Sequence, residues 1–225
     1  AIYGVTPVAQ STGNGFLYSL APTITPGLTG TVSKVYDATT SAPLAAANFT
    51  PTIGVDGDVV AMSGTGAYDN PNVAGSPTKL VTATGITAAM TSSVADGSKP
   101  VYGYTLTSTT ASANIGAITP AALTVTGNTT SSGYTAAAQT NGFSTTGLLT
   151  GNGDSVTGVS GLATRTNVGT TADSLSAATG AGLGNYTISY ANGSLTITPA
   201  ALTVTGNATS SGYTAAAQTN GFSTT

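Results

Sequence analysis

The sequence predicts an all-β protein built from tandem small antiparallel β-modules, arranged as an elongated rod. Three observations carry that prediction. The straight-chain helix formers are nearly missing: 225 residues hold no Glu, four Lys+Arg and two Met, against 46 Thr and 30 Gly. Such a composition suits pleated strands better than helices. Short runs alternate apolar and hydroxylated residues with period two, as half-buried strands do. A 26-residue segment also returns almost unchanged, which is the mark of a repeat architecture.

The repeat sets the organisation. AALTVTGNTTSSGYTAAAQTNGFSTT runs from Ala121 to Thr146 and returns from Ala200 to Thr225, a shift of 79 residues, with Ala208 in place of Thr129 as its one change. Ile-Thr-Pro occurs at Ile24-Thr25-Pro26, Ile118-Thr119-Pro120 and Ile197-Thr198-Pro199. A Tyr-led strand is expected before each: Tyr18-Ser19-Leu20, Tyr104-Thr105-Leu106 and Tyr186-Thr187-Ile188. Gly57-Asp58 answers Gly153-Asp154, and Asn72-Val73 answers Asn167-Val168. These marks divide the chain into 1–26, the C-terminal part of a preceding module; 27–120 and 121–199, two complete modules; and 200–225, the N-terminal part of a following module. The chain therefore reads as a window on a longer array, with strand exchange between copies as the competing reading. Proline favours extended geometry before it and cannot donate to a ladder, so each Thr-Pro ends a strand. Joints without linkers predict stiffness.

Within a module, Leu123-Thr124-Val125-Thr126 and Tyr186-Thr187-Ile188-Ser189-Tyr190 alternate cleanly. Asn192-Gly193 stands between the second run and Leu195-Thr196-Ile197, and Asn-Gly between alternating runs predicts a hairpin. A module of this size buries a small core without disulfides. A sandwich-like module is expected, with a β-grasp-like one as the alternative.

Composition also excludes chemistry. With no His and no Cys, triad catalysis, thiolate zinc sites and haem ligation are ruled out, and four basic residues cannot track a phosphate backbone. No catalytic residue, metal, cofactor or nucleic-acid partner is expected. No apolar run approaches a membrane span and no signal peptide is visible, so no membrane insertion is expected.

Lys34-Val35-Tyr36-Asp37-Ala38-Thr39-Thr40 resembles the KVYDGTT opening of the YDG repeat domain, and Gly57-Asp58, Asn72-Val73-Ala74-Gly75 and the stretch from Tyr104 to Pro120 follow in that domain's order. The second module, with Asn167-Val168-Gly169-Thr170 and NYTISYANGSLTITP from Asn185 to Pro199, resembles the related MBG-type repeats. Ala38 stands where the family usually has Gly, and the second module keeps only Ser131-Ser132-Gly133-Tyr134 of the Tyr-Asp motif. The resemblance implies a role in large secreted bacterial proteins, including filamentous-haemagglutinin-like adhesins exported by two-partner secretion, and an extracellular or cell-surface location.

Candidate chemistry is sparse. Asp56-Gly57-Asp58 offers too few oxygens for calcium and reads as a solvated turn. Lys34 reads as an edge-strand charge rather than one end of an isopeptide clamp, since the second module has no Lys. Nothing singles out Asp58 and Asp69 as a glycosidase pair. Five Asn-x-Ser/Thr sequons occur, at Asn48, Asn128, Asn185, Asn192 and Asn207, and the repeat equivalents Asn128 and Asn207 are the candidate glycosylation sites. Thr124-Val125-Thr126 and Thr203-Val204-Thr205 read as solvent-facing strand threonines. Tyr18, Tyr104, Tyr134, Tyr186 and Tyr213 are expected in packing rather than in a sugar-stacking strip. The expected function is a structural repeat segment of a bacterial surface fibre, stalk or biofilm-matrix adhesin that forms filaments with copies of itself. Glycan or receptor binding through loops is the alternative.

Overall fold

The fold is described from a computed structural model. It describes residues 21–91, 101 and 103–225, with the backbone alone at 2–3 and 17–18. Ser19 and Leu20, and the side chains of Tyr18 and Asp56, lie outside the described residues. Those residues are all-β, with short 3-10 turns at Ala46–Asn48, Val55–Gly57 and Leu183–Asn185. Two compact units are formed, each from three stretches of chain: Ala1–Leu123, Gly147–Val156 and Gly180–Ile188 in the first, Thr124–Thr146, Thr157–Thr179 and Ser189–Thr225 in the second.

The first unit is organised by a five-stranded sheet of β1 (Val32–Val35), β2 (Ser41–Ala42), β3 (Val59–Tyr68), β4 (Ala74–Thr91) and β5 (Ala111–Thr119), in the order β1-β5-β4-β3-β2. Its core gathers Val32, Phe49, Met62, Val81, Ile86, Ile118 and Leu123, all buried. Strand β4 buries Val81 and Ala83 and then Ile86 and Met90, so the inward positions change parity midway. The cause is Gly85, whose φ of +61° accompanies a register shift where Ser63 faces Thr87 but Thr65 faces Thr84. One extra residue in β4 turns the strand over and keeps both halves facing the core.

The second unit contains β6 (Ala121–Gly127, shared at its start with the first), β7 (Thr129–Gly133), β8 (Phe143–Thr146), β9 (Gly169–Ala172), β10 (Tyr186–Ala191, whose first half belongs to the first unit) and β11 (Ser194–Thr198). Sheet orders are β8-β6-β10 and β7-β11-β9. Strands β12 (Val204–Gly206) and β13 (Phe222–Thr224) pair with each other.

Antiparallel pairing is the expectation, and the structure corrects it: β1 pairs parallel with β5, and β7 parallel with β11. The long intervening segments, β2 to β4 in one case and β8 to β10 in the other, supply the crossover that a parallel pair requires. The two units share one motif built this way. An Ile-Thr-Pro strand lies centrally, with a parallel neighbour leading to a tyrosine on one side and an antiparallel neighbour following Asn-Val on the other. Lys34 faces Ile118 and Ser132 faces Ile197; Ile118 faces Ala74 and Ile197 faces Gly169. The Tyr36 N–H donates to Thr119 O at 2.8 Å, and the Tyr134 N–H to Thr198 O at 2.9 Å.

The expected Asn-Gly hairpin is a second correction. Strands β10 and β11 belong to different sheets, so Asn192-Gly193 is a corner where the chain changes sheet. Asn192 Oδ1 accepts the Leu175 N–H at 2.9 Å, and the Gly193 N–H donates to Asp173 Oδ2 at 3.0 Å. A Cβ on Gly193 would overlap the carbonyl oxygens of Gly127 and Asn128, so glycine is needed there for close approach.

Candidate functional site

Three aspartates, Asp58, Asp154 and Asp173, are buried. The most elaborate cluster surrounds Asp154, in the first unit. The Tyr36 hydroxyl donates to Asp154 Oδ2 at 2.6 Å and the Tyr186 hydroxyl donates to the same oxygen at 2.7 Å. The two rings meet edge to face, with centroids 5.5 Å apart and planes at 80°, a favourable aromatic geometry. Tyr36 leaves β1 directly, and Tyr186 opens β10 after the Leu183–Asn185 turn. Gly182 opens that turn at φ +70°, and a Cβ there would overlap the Asp154 carboxylate.

An amide shell holds the pair. Asn152 Nδ2 donates to the Tyr36 hydroxyl at 3.2 Å and to Asn72 Oδ1 at 3.3 Å. Asn185 Nδ2 reaches the same Asn72 oxygen at 3.3 Å, and Asn185 Oδ1 accepts the Val73 N–H at 3.0 Å. The Tyr186 oxygen accepts the Leu149 N–H at 3.0 Å. Burial first, and then the hydrogen bond to Asp154, raises the Tyr36 hydroxyl above its ordinary pKa; the same causes push Tyr186 up to about 12. Both hydroxyls therefore stay protonated at neutral pH and act as donors, not as bases or nucleophiles.

Asp58 also meets a tyrosine. The Tyr104 hydroxyl donates to Asp58 Oδ2 at 2.9 Å. Since Gly57-Asp58 answers Gly153-Asp154 and Tyr104 answers Tyr186, the repeat places one tyrosine on one aspartate in each module. At Asp154 the Tyr36 hydroxyl donates as well. The expected solvated turn is thus overturned for Asp58, which is buried: a carboxylate leaves water only where donors replace it. Asp69 lies 3.5 Å from Lys79 Nζ. Asp173, in the second unit, accepts from Ala163 N–H at 2.7 Å, Gly193 N–H at 3.0 Å and Asn141 Nδ2 at 2.9 Å. It ties together a unit whose own apolar cluster is only Ala163, Leu195 and Ile197.

Lys34 stands on the edge strand β1 as expected, but its ammonium is tied to its own loop, at 2.7 Å from Asp37 Oδ1 and 2.8 Å from Thr39 O. Lys79 is buried and donates to Asn70 Oδ1 at 2.7 Å. Arg165 donates to Asn167 O, Val168 O and Thr171 Oγ1. Among the described residues no group of three or more acidic, His or Cys side chains could hold a metal, and no helix is long and apolar enough to cross a membrane.

The sequons separate by what their carboxamides do. Asn48, Asn185 and Asn192 each bond backbone groups. Asn128 and Asn207 are exposed, each at the end of the first strand of its hairpin. The tyrosines separate too: Tyr186 is buried, Tyr104 packs against the core, and Tyr134 and Tyr213 are exposed. Sequence reasoning missed Asn72, Asn152, Asn185, Asn141 and Asp173 as members of polar clusters. The paired recurrence of Gly-Asp and a Tyr-led strand was the available signal for the Asp58 and Asp154 contacts.

Residues 21–111 match the YDG domain family, a stretch that includes Tyr36, Asp58, Asn72 and Tyr104. No curated protein and no solved structure matches the chain.

Proposed function

We propose that this chain is a structural repeat segment of a secreted bacterial surface fibre, stalk or matrix adhesin, with 27–120 and 121–199 as its periods and copies of itself as partners. The observation that carries this reading is the 26-residue repeat, whose two copies keep the same strand register and several of the same side-chain bonds. Sequence held that constant supports spacing and self-contact rather than divergent recognition. The inward-facing carboxylates support it as well, because groups bonded to tyrosine and amide donors are unavailable to a substrate. The described residues that line an open cavity of about 510 Å³, among them Ile86, Met90, Val101, Tyr104 and Leu106, offer neither a carboxylate nor an amine. Asn128 and Asn207 are the proposed sugar acceptors, to be checked by glycopeptide mass spectrometry of protein from its native source.

Small-angle scattering tests the rod. A compact 225-residue globule has a radius of gyration of about 17 Å, and the rod reading expects a value well above it. A compact particle combined with selective binding on a glycan array would replace the structural role by recognition through loops.

A further inference from the structure

The shared three-strand motif leaves its tyrosine in opposite situations in the two units. In the first unit Tyr36 is 2% exposed. It is covered by Asp154, Tyr186 and Asn152. Asn72 and Val73, one step beyond the Ile118–Ala74 pair, bond Asn152 and Asn185. Ala38 lies beneath Gly151, whose Cβ would sit 3.5 Å away. In the second unit Tyr134, Ala136, Asn167 and Val168 hold the matching places. Tyr134 bonds Thr198 O as Tyr36 bonds Thr119 O. Ala136 has φ +63°, as Ala38 does. Val168 lies one step beyond the Ile197–Gly169 pair. Yet all four are exposed, Tyr134 at 39%, where of their first-unit counterparts only Asn72 is, and among the described residues the Tyr134 hydroxyl has no hydrogen-bond partner.

We infer that Tyr134, Ala136, Asn167 and Val168 form a docking face for one further copy of the module, whose equivalents of Asn152, Asp154 and Tyr186 close on Tyr134 as those residues close on Tyr36. The inference deepens the repeat reading of the chain and rests on it. It names the contact by which successive modules lock. The occupant follows from the first unit: among the described residues the stretch Gly147–Val156 with Leu183–Tyr186 covers the motif there, and the face of the second unit matches its counterpart in register, backbone bonding and residue type. A tyrosine at the end of a parallel strand then reaches a buried carboxylate in the next period, and a cluster of hydroxyl and amide groups fixes the angle between modules without any cation.

The test extends the chain by appending a copy of residues 147–199 after Thr225, which completes a further period behind the repeated 26 residues. Nitration by tetranitromethane, followed by peptide mass spectrometry, reads tyrosine accessibility. Tyr134 should be nitrated in the 225-residue chain and protected at least tenfold in the extended one, while Tyr213 stays reactive in both. Replacing the appended equivalent of Asp154 by Asn should restore part of the reactivity. Tyr134→Phe should lower the melting temperature of the extended chain and leave that of the 225-residue chain unchanged. Equal nitration of Tyr134 in both chains, or an appended period that is unfolded by NMR, overturns the inference. A compact particle or glycan binding would defeat the fibre reading and leave Tyr134 protection intact, so the two fail separately.

Discussion

Residues 121–146 and 200–225 differ at one position, and they separate what a segment encodes for itself from what its surroundings add. Both fold into the same hairpin: Val125 faces Thr145 and Val204 faces Thr224, and the next two pairs correspond. The Asn128 and Asn207 N–H groups donate in the same way, at 2.9 Å to Gly142 O and Gly221 O. Thr130 bonds Asn141 at 2.9 Å and Thr209 bonds Asn220 at 2.8 Å. Even the left-handed alanine recurs, with φ +63° at Ala136 and +58° at Ala215. Burial does not recur. Leu123 and Val125 are fully buried, whereas Leu202 and Val204 are 71% and 58% exposed. The turn chemistry is local, and the core is borrowed.

The largest expected effect breaks the pair at its leucines. Leu123→Ala should destabilise by about 3 kcal/mol in denaturant melts, by transfer and cavity terms together, while Leu202→Ala should stay within about 0.5 kcal/mol. Equal losses would mean that the second hairpin is packed after all. Next in size is the Asp154 cluster. Tyr36→Phe removes a hydrogen bond to a buried carboxylate and should cost about 2 kcal/mol, whereas Tyr134→Phe and Tyr213→Phe in the 225-residue chain should cost nothing measurable.

The same cluster gives a pH dependence with a definite sign. Tyr36 and Tyr186 have raised pKa values in the folded chain, so above pH 10 the unfolded state loses protons that the folded state keeps. Stability is fully present below about pH 10 and falls as pH climbs toward 12. The double variant Tyr36→Phe, Tyr186→Phe should be less stable at pH 7 and should show a shallower alkaline fall. An unchanged alkaline slope would show that other tyrosines carry it.

The smallest effect is a gain. Ala38 and Ala136 occupy left-handed conformations that glycine adopts freely. Each substitution to Gly should stabilise by about 0.5 kcal/mol, after the flexibility of glycine in the unfolded chain is set against the relieved strain. Ala215→Gly should leave global melting unchanged and sharpen only the local hairpin, read as slower amide exchange at Thr214 and Ala216.

These contrasts also mark what was legible in advance. The all-β class, the strand alternation at Leu123-Thr124-Val125 and the repeat were readable because each depends on neighbours in sequence. The special place of Ala38, which stands where the YDG opening it resembles usually has Gly, is explained by its φ of +63°. Asn192-Gly193 misled because Asn-Gly favours a tight turn locally, while Asp173 and Leu175, distant in sequence, hold it as a corner between sheets. Asp58 looked like a solvated turn because its partner Tyr104 lies 46 residues away. The asparagines of the Asp154 cluster were hidden in the same manner: Asn185 carries a sequon, and only the fold shows that its carboxamide is already engaged.

The tethering of Lys34, Lys79 and Arg165 bears on how the chain meets a digestive environment. Trypsin needs an extended backbone on either side of a basic residue, and these three are bonded to their own loops or buried. The fourth, Lys99, is followed by Pro100, a bond that trypsin does not cut. Cleavage must then wait for opening of the fold. The chain should survive trypsin concentrations that strip ordinary domains from a cell surface, and gel electrophoresis of a timed digest would show one undiminished band.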